Sequence, residues 1–171
     1  MRPGLTQGAF LVCLSAWFNL GTAYHDETRD AMRDLRRDPE WLGRWAALDK
    51  IKEKFKTDPD DVENFVDKLV ESATQDKEHY IRLRVLDLLK KMEAEIISPF
   101  AHEFAEIATT DDHHVVRQRA LEVLHKIPEH ALKHEDKIRA TVLNDPIVFV
   151  RNQVHKLLTL IEPHKDDRQE L

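Results

Sequence analysis

The stretch "DDHHVVRQRALEVLHKI" (111–127) recurs along the chain and decides the fold. It aligns without gaps with "DKEHYIRLRVLDLLKKM" (76–92), with "DPIVFVRNQVHKLLTLI" (145–161) and, more weakly, with "DPEWLGRWAALDKIKEK" (38–54). The four copies begin 38, 35 and 34 residues apart. A period of this length is typical of a repeat protein.

Four columns of the alignment support the repeat. They are the first Asp, an Arg six residues on, Ala or Val after nine and Ile or Leu after thirteen: Asp38, Asp76, Asp111, Asp145; Arg44, Arg82, Arg117, Arg151; Ala47, Val85, Ala120, Val154; Ile51, Leu89, Leu124, Leu158. The apolar spacing predicts an amphipathic helix in each copy. We expect each Asp to cap that helix, with Pro39 and Pro146 at its first position.

A second amphipathic stretch precedes each Asp, as in Val62 to Val70 and Ile97 to Ile107. Asp58-Pro59-Asp60-Asp61 predicts a capped start for one of these stretches. Each unit is therefore helix A, a turn carrying Asp, and helix B. The first copy departs most from the others, with Gly43 where the rest have Ile or Val, as expected at the end of a repeat array.

The A-turn-B unit with its Asp and Arg columns resembles the HEAT repeat, over roughly residues 25–161. This resemblance implies an all-α, right-handed α-solenoid of about four HEAT-like helix-turn-helix repeats. It also implies that the Asp and Arg columns form a structural ladder between successive repeats. Members of the family usually bind other proteins and are not enzymes as a rule, so the resemblance implies no catalytic residue. We also predict no cofactor and no metal.

The first 23 residues differ in composition from the rest. Arg2 precedes an uncharged run from Gly8 to Leu20, which ends at the small residues of Gly21-Thr22-Ala23. These are the parts of a secretory signal peptide, and the run is short for a membrane helix. The alternative is a buried helix. Cys13 lies in this segment, so cleavage would leave a chain without cysteine and without disulfides.

The chain ends in Arg168-Gln169-Glu170-Leu171, which is similar to retrieval signals of the endoplasmic reticulum, although Gln169 replaces the usual acidic residue. We therefore predict three segments: a signal peptide over 1–23, the repeat domain over 24–162 and a tail over 163–171. The expected location is the endoplasmic-reticulum lumen or the cell exterior, with the cytoplasm as the alternative. A net charge of -6 indicates no nucleic-acid partner.

Solvent positions of helix B form the candidate partner-binding stripe. They lie eight and eleven residues after each Asp: Arg84, Asp87, Arg119, Glu122, Gln153, Lys156. Stacked repeats would align these mixed charges into a surface suited to a polar protein partner. The alternative is a merely solvated face. Trp41 and Trp45 are expected to pack the end repeat, with an exposed aromatic anchor as the alternative.

The histidines are the candidates for metal or acid–base chemistry. His113 and His114 fall in the inter-helix turn, where the other copies vary freely, so a solvated turn is the favoured interpretation. His130 and His134 have the spacing of a zinc pair, but Pro128 places them near a helix start, so at most a weak surface site is expected. Ten histidines also raise the hypothesis of a pH switch.

These features favour a monomeric, non-catalytic adaptor or chaperone cofactor in the secretory pathway. Armadillo-like exchange factors of the lumenal chaperone ATPase are similar in arrangement, since they combine a signal peptide, a helical-repeat body and an EL-type tail. Two alternatives stay open. One is a cytosolic or bacterial HEAT-repeat scaffold, and the other is an accessory protein with a lyase-like or metal-handling role.

Overall fold

The computed structural model describes residues 27–163, and this part of the chain is helical with no β-strand. The predicted signal peptide, Cys13 and the terminal Arg168-Gln169-Glu170-Leu171 lie outside the described residues. A first helix, α1, covers 27–37. The helices that follow are α2 (Trp41–Thr57), α3 (Pro59–Glu63), α4 (Val66–Gln75), α5 (His79–Leu89), α6 (Ala94–Ile97), α7 (Ala101–Thr110), α8 (His114–Leu124), α9 (Pro128–Ala131), α10 (Glu135–Asn144) and α11 (Val148–Ile161). Short 3-10 turns, Ser98–Phe100 and Leu132–His134, precede α7 and α10.

The helices associate in consecutive pairs. Helix α4 packs on α5, α7 on α8, and α10 on α11, so that the second, third and fourth predicted A-turn-B units are each one packed pair. The second helices of the units, α2, α5, α8 and α11, also contact one another in chain order, and α4, α7 and α10 do the same. Within residues 27–163, none of the helices combines the length and apolarity that crossing a bilayer requires.

Each helix A after the first consists of two parts. A short segment, α3, α6 or α9, is followed by the longer α4, α7 or α10. Prolines account for two of the starts, because Pro59 and Pro128 take the first helical position, where no backbone N–H is needed. The Asp58 carboxylate accepts the Asp61 N–H at 3.4 Å, which confirms the predicted capped start.

The core follows the columns of the repeat. At thirteen residues after the Asp, Ile51, Leu89 and Leu124 are fully buried, and Leu158 packs partly buried at the last unit. The position ten residues after the Asp distinguishes the last unit from the others. Leu48, Leu86 and Leu121 are fully buried there, whereas His155 in α11 is exposed. The face that each earlier helix B buries against the next unit is therefore open at α11.

The turn between the two helices differs from the prediction. Each column Asp accepts the backbone N–H two residues on, as in the Asp76 Oδ1 bond to the Glu78 N–H at 2.8 Å. Helix B then begins at the third residue, so the Asp lies two residues before the N-cap, which has no side-chain cap. The prediction that Pro39 and Pro146 begin helix B was wrong: both lie in the turn, because the Asp side chain organises a turn ahead of the helix.

Gly43 in the first unit accommodates the Asp38 carboxylate. A Cβ at Gly43 would lie 1.9 Å from Asp38 Oδ2, so a side chain there would displace the carboxylate. The other units carry Ile81, Val116 and Val150 at this position. Within residues 27–163, Asp38 is also the column Asp that binds no arginine of a preceding unit.

Candidate functional site

Successive units are joined by buried Arg–Asp pairs. The Arg82 guanidinium donates through Nε to Asp111 Oδ2 and through Nη2 to Asp111 Oδ1, both at 2.8 Å. Its Nη1 donates to the Asp76 carbonyl oxygen at 2.8 Å, in the turn of its own unit. One side chain thus holds its own turn and the turn of the next unit together.

The same geometry recurs in the two neighbouring units. Arg44 binds Asp76 through Nε and Nη2, and Arg117 binds Asp145 in the same way. The pKa of Asp145 lies below its usual value. Burial, the largest single effect, acts to raise this pKa, but the hydrogen bonds from Arg117 and from the Ile147 N–H, together with the charges of Arg117 and Arg151, outweigh it. The hydrogen bond to Asp76 likewise raises the pKa of Arg44.

The two ends of this ladder are incomplete within residues 27–163. Asp38 accepts the Glu40 N–H at 2.9 Å, but no arginine of the described residues binds it. Arg151 donates through Nη1 to the Asp145 carbonyl oxygen at 2.6 Å, as the other arginines do to theirs. Its Nε and Nη2, which in each earlier unit hold the next Asp, have no acceptor among the described residues.

The predicted partner-binding stripe carries ion pairs between units. Arg84 in α5 contacts Asp49 in α2, and Arg119 in α8 contacts Asp87 in α5. Glu122 accepts from Lys90 and also pairs with Arg119. Gln153 is half-buried and Lys156 is exposed. Much of the stripe is thus engaged within the chain, and its role in partner binding stays a prediction.

The two tryptophans of the first unit have different surroundings. Trp45 is partly buried against the core, and the Arg84 guanidinium lies 3.7 Å from its ring centroid. Trp41 contacts Trp45 edge-on, with ring centroids 6.4 Å apart, and is itself 43% exposed. Trp45 therefore packs the end unit, while Trp41 has the exposure of an aromatic anchor.

Apart from Trp41, the sequence did not single out a set of exposed apolar side chains at the starts of the B helices. They occupy the third and fourth positions after the column Asp, and we call them the apolar ridge: Trp41 (43% exposed), Leu42 (61%), Tyr80 (55%), Val148 (54%) and Phe149 (71%). Part of the signal was present in the alignment, because the fourth position is apolar or aromatic in every copy, whereas the third position is His79 and His114 in the two middle copies. Apolar exposure grouped in this way is typical of interaction surfaces.

Three imidazoles lie in the middle of this row of helix starts. The rings of His79 and His113 stack with centroids 3.8 Å apart, and His113 also stacks on His114 at 5.1 Å. Burial lowers the pKa of His113, and the neighbouring His79 and His114 lower it further. These histidines are half-buried and stacked rather than merely solvated.

The histidine pair predicted from spacing is not brought together. His134 lies against His102 of α7, with ring centroids 5.3 Å apart, while His130 lies in the separate short helix α9. Burial lowers the pKa of His134, with a further contribution from His102. Among the described residues, no group of three or more His, Cys, Asp or Glu side chains has the arrangement of a metal site.

The lowered histidine pKa values predict a loss of stability on acidification. A histidine whose pKa is lower folded than unfolded contributes stability that is fully present above the unfolded value of about 6.5 and is lost as pH falls through the folded value. We expect the urea concentration at the unfolding midpoint to decrease as the pH is lowered from about 7.5 to 5.5. We expect His113→Gln to make this dependence on pH less steep. Urea unfolding across this range measures it. His130→Gln is the control, and equal slopes for the two variants and the wild type would contradict the prediction.

Comparisons with known proteins identify no relative. No protein-family model matches the chain, no curated protein matches it significantly, and no solved structure does so either. The function is therefore inferred from the surfaces described above.

Proposed function

We propose that this chain is a HEAT-like right-handed α-solenoid that acts as a non-catalytic protein-binding adaptor, of the kind that serves a chaperone. The apolar ridge is the observation that carries the proposal. Its side chains come from the same two positions of the first, second and fourth units, whereas the third unit has the partly buried His114 and Val115 there. The packed helix pairs and the Arg–Asp pairs between them support the solenoid.

The ridge has the chemistry of a protein-binding surface. Tyr and Trp combine a large apolar area with a polar group, and they are enriched among the residues that contribute most to binding energy. Tyr80 and Trp41 occupy such exposed positions, and Phe149, at 71%, is the most exposed large apolar residue of the described part of the chain. The Arg82–Asp111 pair is buried and its hydrogen bonds are made within the chain, so a partner that binds the ridge does not have to supply them.

Substitutions on the ridge test this proposal. We expect Tyr80→Ser combined with Phe149→Ser to reduce partner capture at least tenfold, because truncating each central anchor typically costs about 1–2 kcal/mol or more. Tagged wild-type and variant chains are compared by quantitative mass spectrometry of co-purified proteins from the cells that make this protein. Leu160→Ser is the matched control, since Leu160 is 43% exposed but lies away from the helix starts.

The outcome is decided by comparison with that control. A set of proteins retained by Leu160→Ser and lost from the ridge variant supports the proposal. If the ridge variant captures the same proteins as the control, the ridge is not the binding surface.

We also propose that the adaptor works in the secretory pathway. This rests on the uncharged run Gly8–Leu20, the small residues that follow it and the terminal Arg168-Gln169-Glu170-Leu171, all outside the described residues. In eukaryotic cells we expect the full chain to be retained and a variant lacking the last four residues to enter the medium. If both forms stay in the cytosol, the location is wrong and the cytosolic scaffold is favoured.

A further inference from the structure

A cavity of about 410 Å³ opens between the second helices of the first two units, α2 and α5. Its volume lies in the range of known binding pockets, about 300–1,000 Å³. Phe55 and Leu88 line part of it. Cationic side chains from both helices and from the turn after α5 line much of the rest: Lys52, Lys56, Arg84, Lys91. These four cations lie together in a chain whose net charge is -6.

The acidic residues of the cavity wall compensate only part of this positive charge. Asp49 pairs with Arg84, and Glu53 pairs with Lys56 at 2.6 Å. The other two lysines of the wall take part in no ion pair within residues 27–163. The cavity therefore keeps two positive charges that the described part of the chain does not neutralise.

Lys52 shows that this excess charge is unfavourable for the fold. Its side chain is half-buried, and burial lowers its pKa, with the charges of Arg84 and Lys91 lowering it further. A lysine whose pKa is lowered in this way destabilises the folded chain while it is charged. Such an arrangement is typical of a binding site, because a ligand can supply the missing counter-charge.

The cavity adjoins the apolar ridge. Arg84 connects the two, because it lines the cavity and its guanidinium lies 3.7 Å from the Trp45 ring centroid. Trp45 in turn contacts the exposed Trp41 edge-on. A protein that covers Trp41 therefore lies within reach of the cavity. A free anion would make no use of this neighbourhood, so the occupant that fits best is a segment of the partner that binds the ridge.

We propose that the cavity binds an acidic segment of the protein partner, with carboxylates of neighbouring Asp or Glu residues held by Lys52 and Lys91. The lysine ammonium groups donate to the carboxylate oxygens, and Phe55 offers an apolar contact to the carbon atoms of the same side chains. This assignment names the chemistry of the partner and so rests on the proposed function. Charge complementarity at the cavity adds specificity to the apolar contact of the ridge.

Binding of a fluorescent hexaglutamate peptide to the full chain tests the site, with fluorescence anisotropy as the readout. We expect the wild type to bind the peptide and Lys52→Gln combined with Lys91→Gln to reduce the affinity at least tenfold, because both uncompensated charges are removed. The matched control is Lys77→Gln combined with Lys133→Gln, which changes two exposed lysines outside the cavity wall.

Three results would overturn the proposal. They are no binding by the wild type, equal affinities of the two double variants, and displacement of the peptide by inorganic phosphate at the same concentration of negative charge. The last result would show that the cavity takes small anions rather than a protein segment. The probe has no large apolar side chain for the ridge, so a failed capture experiment on the ridge and a failed peptide-binding test are distinguishable.

Stability supplies a second reading. Because the charge of Lys52 is unfavourable in the fold, we expect Lys52→Gln to unfold at the same urea concentration as the wild type or at a higher one. A lower midpoint would mean that the fold itself uses this charge, and would overturn the proposal.

Discussion

Replacing Arg82 with Met is expected to lower the free energy of unfolding by about 3–5 kcal/mol, the range for removing one partner of a buried ion pair. The Arg82 and Asp111 side chains are only 8% and 7% exposed. The substitution leaves the Asp111 carboxylate without its main counter-charge and deprives the carbonyl oxygen of Asp76 of its donor. Because Arg82 joins two units, we expect the loss to affect the packing of α5 against α8.

A control substitution at an exposed arginine shows whether the loss of stability is specific to the buried Arg82. Arg33 forms ion pairs with Asp30 and Asp34 at the surface and is 56% exposed, so Arg33→Met should change the free energy of unfolding by less than about 1 kcal/mol. Urea unfolding monitored by circular dichroism measures both. Equal effects of the two substitutions would show that the Arg–Asp pairs contribute little to the stack.

Replacing Phe104 with Ala is expected to cost about 3–5 kcal/mol, because a large cavity opens where the surrounding helices cannot fully collapse. Phe104 lies in α7, is fully buried, and is the largest such side chain among the described residues. Helix α7 packs against α8 of its own unit and against α4 and α10 of the two neighbouring units, so the cavity opens in a helix that is enclosed by others. Thermal and urea unfolding give the change.

Phe149 provides the matched comparison. It is the same residue type at 71% exposure, and surface substitutions usually change stability by less than about 0.5 kcal/mol. Phe149→Ala should therefore leave the free energy of unfolding nearly unchanged while it weakens partner capture. A large loss of stability in this variant would mean that Phe149 supports the fold and is not held for a partner.

The helical class and the buried face of each helix B could be predicted from the repeated columns of the sequence. Apolar residues at nine and thirteen positions after each Asp, such as Val85 and Leu89, mark one face of a helix, and that face is the one buried in the structure. The all-helical class follows from this periodicity together with the low content of glycine and proline. The weak first copy also forms its helix pair, with Ala31, Met32 and Leu35 buried in α1.

Other features depend on geometry that one sequence does not contain. Asp76 and Pro146 have the identity of helix-start residues, but the side-chain bond from Asp to the second N–H places both in a turn instead. The sequence also could not show that Arg84 and Arg119 form ion pairs between units, because a helix face whose charges are solvated has the same residue types as one whose charges are paired. Apart from Trp41, the ridge residues were not predicted, because the sequence alone does not distinguish an exposed apolar residue from a buried one.

Site-specific photo-crosslinking is the most direct test of the claim that the ridge binds a protein. A photoreactive phenylalanine analogue is placed in the full chain at Tyr80, at Phe149 or at Leu160, irradiated in cells, and the adducts are identified by mass spectrometry. The account predicts that Tyr80 and Phe149 crosslink to the same partner protein and that Leu160 does not. No adducts at the ridge, or the same adducts at all three positions, would contradict it.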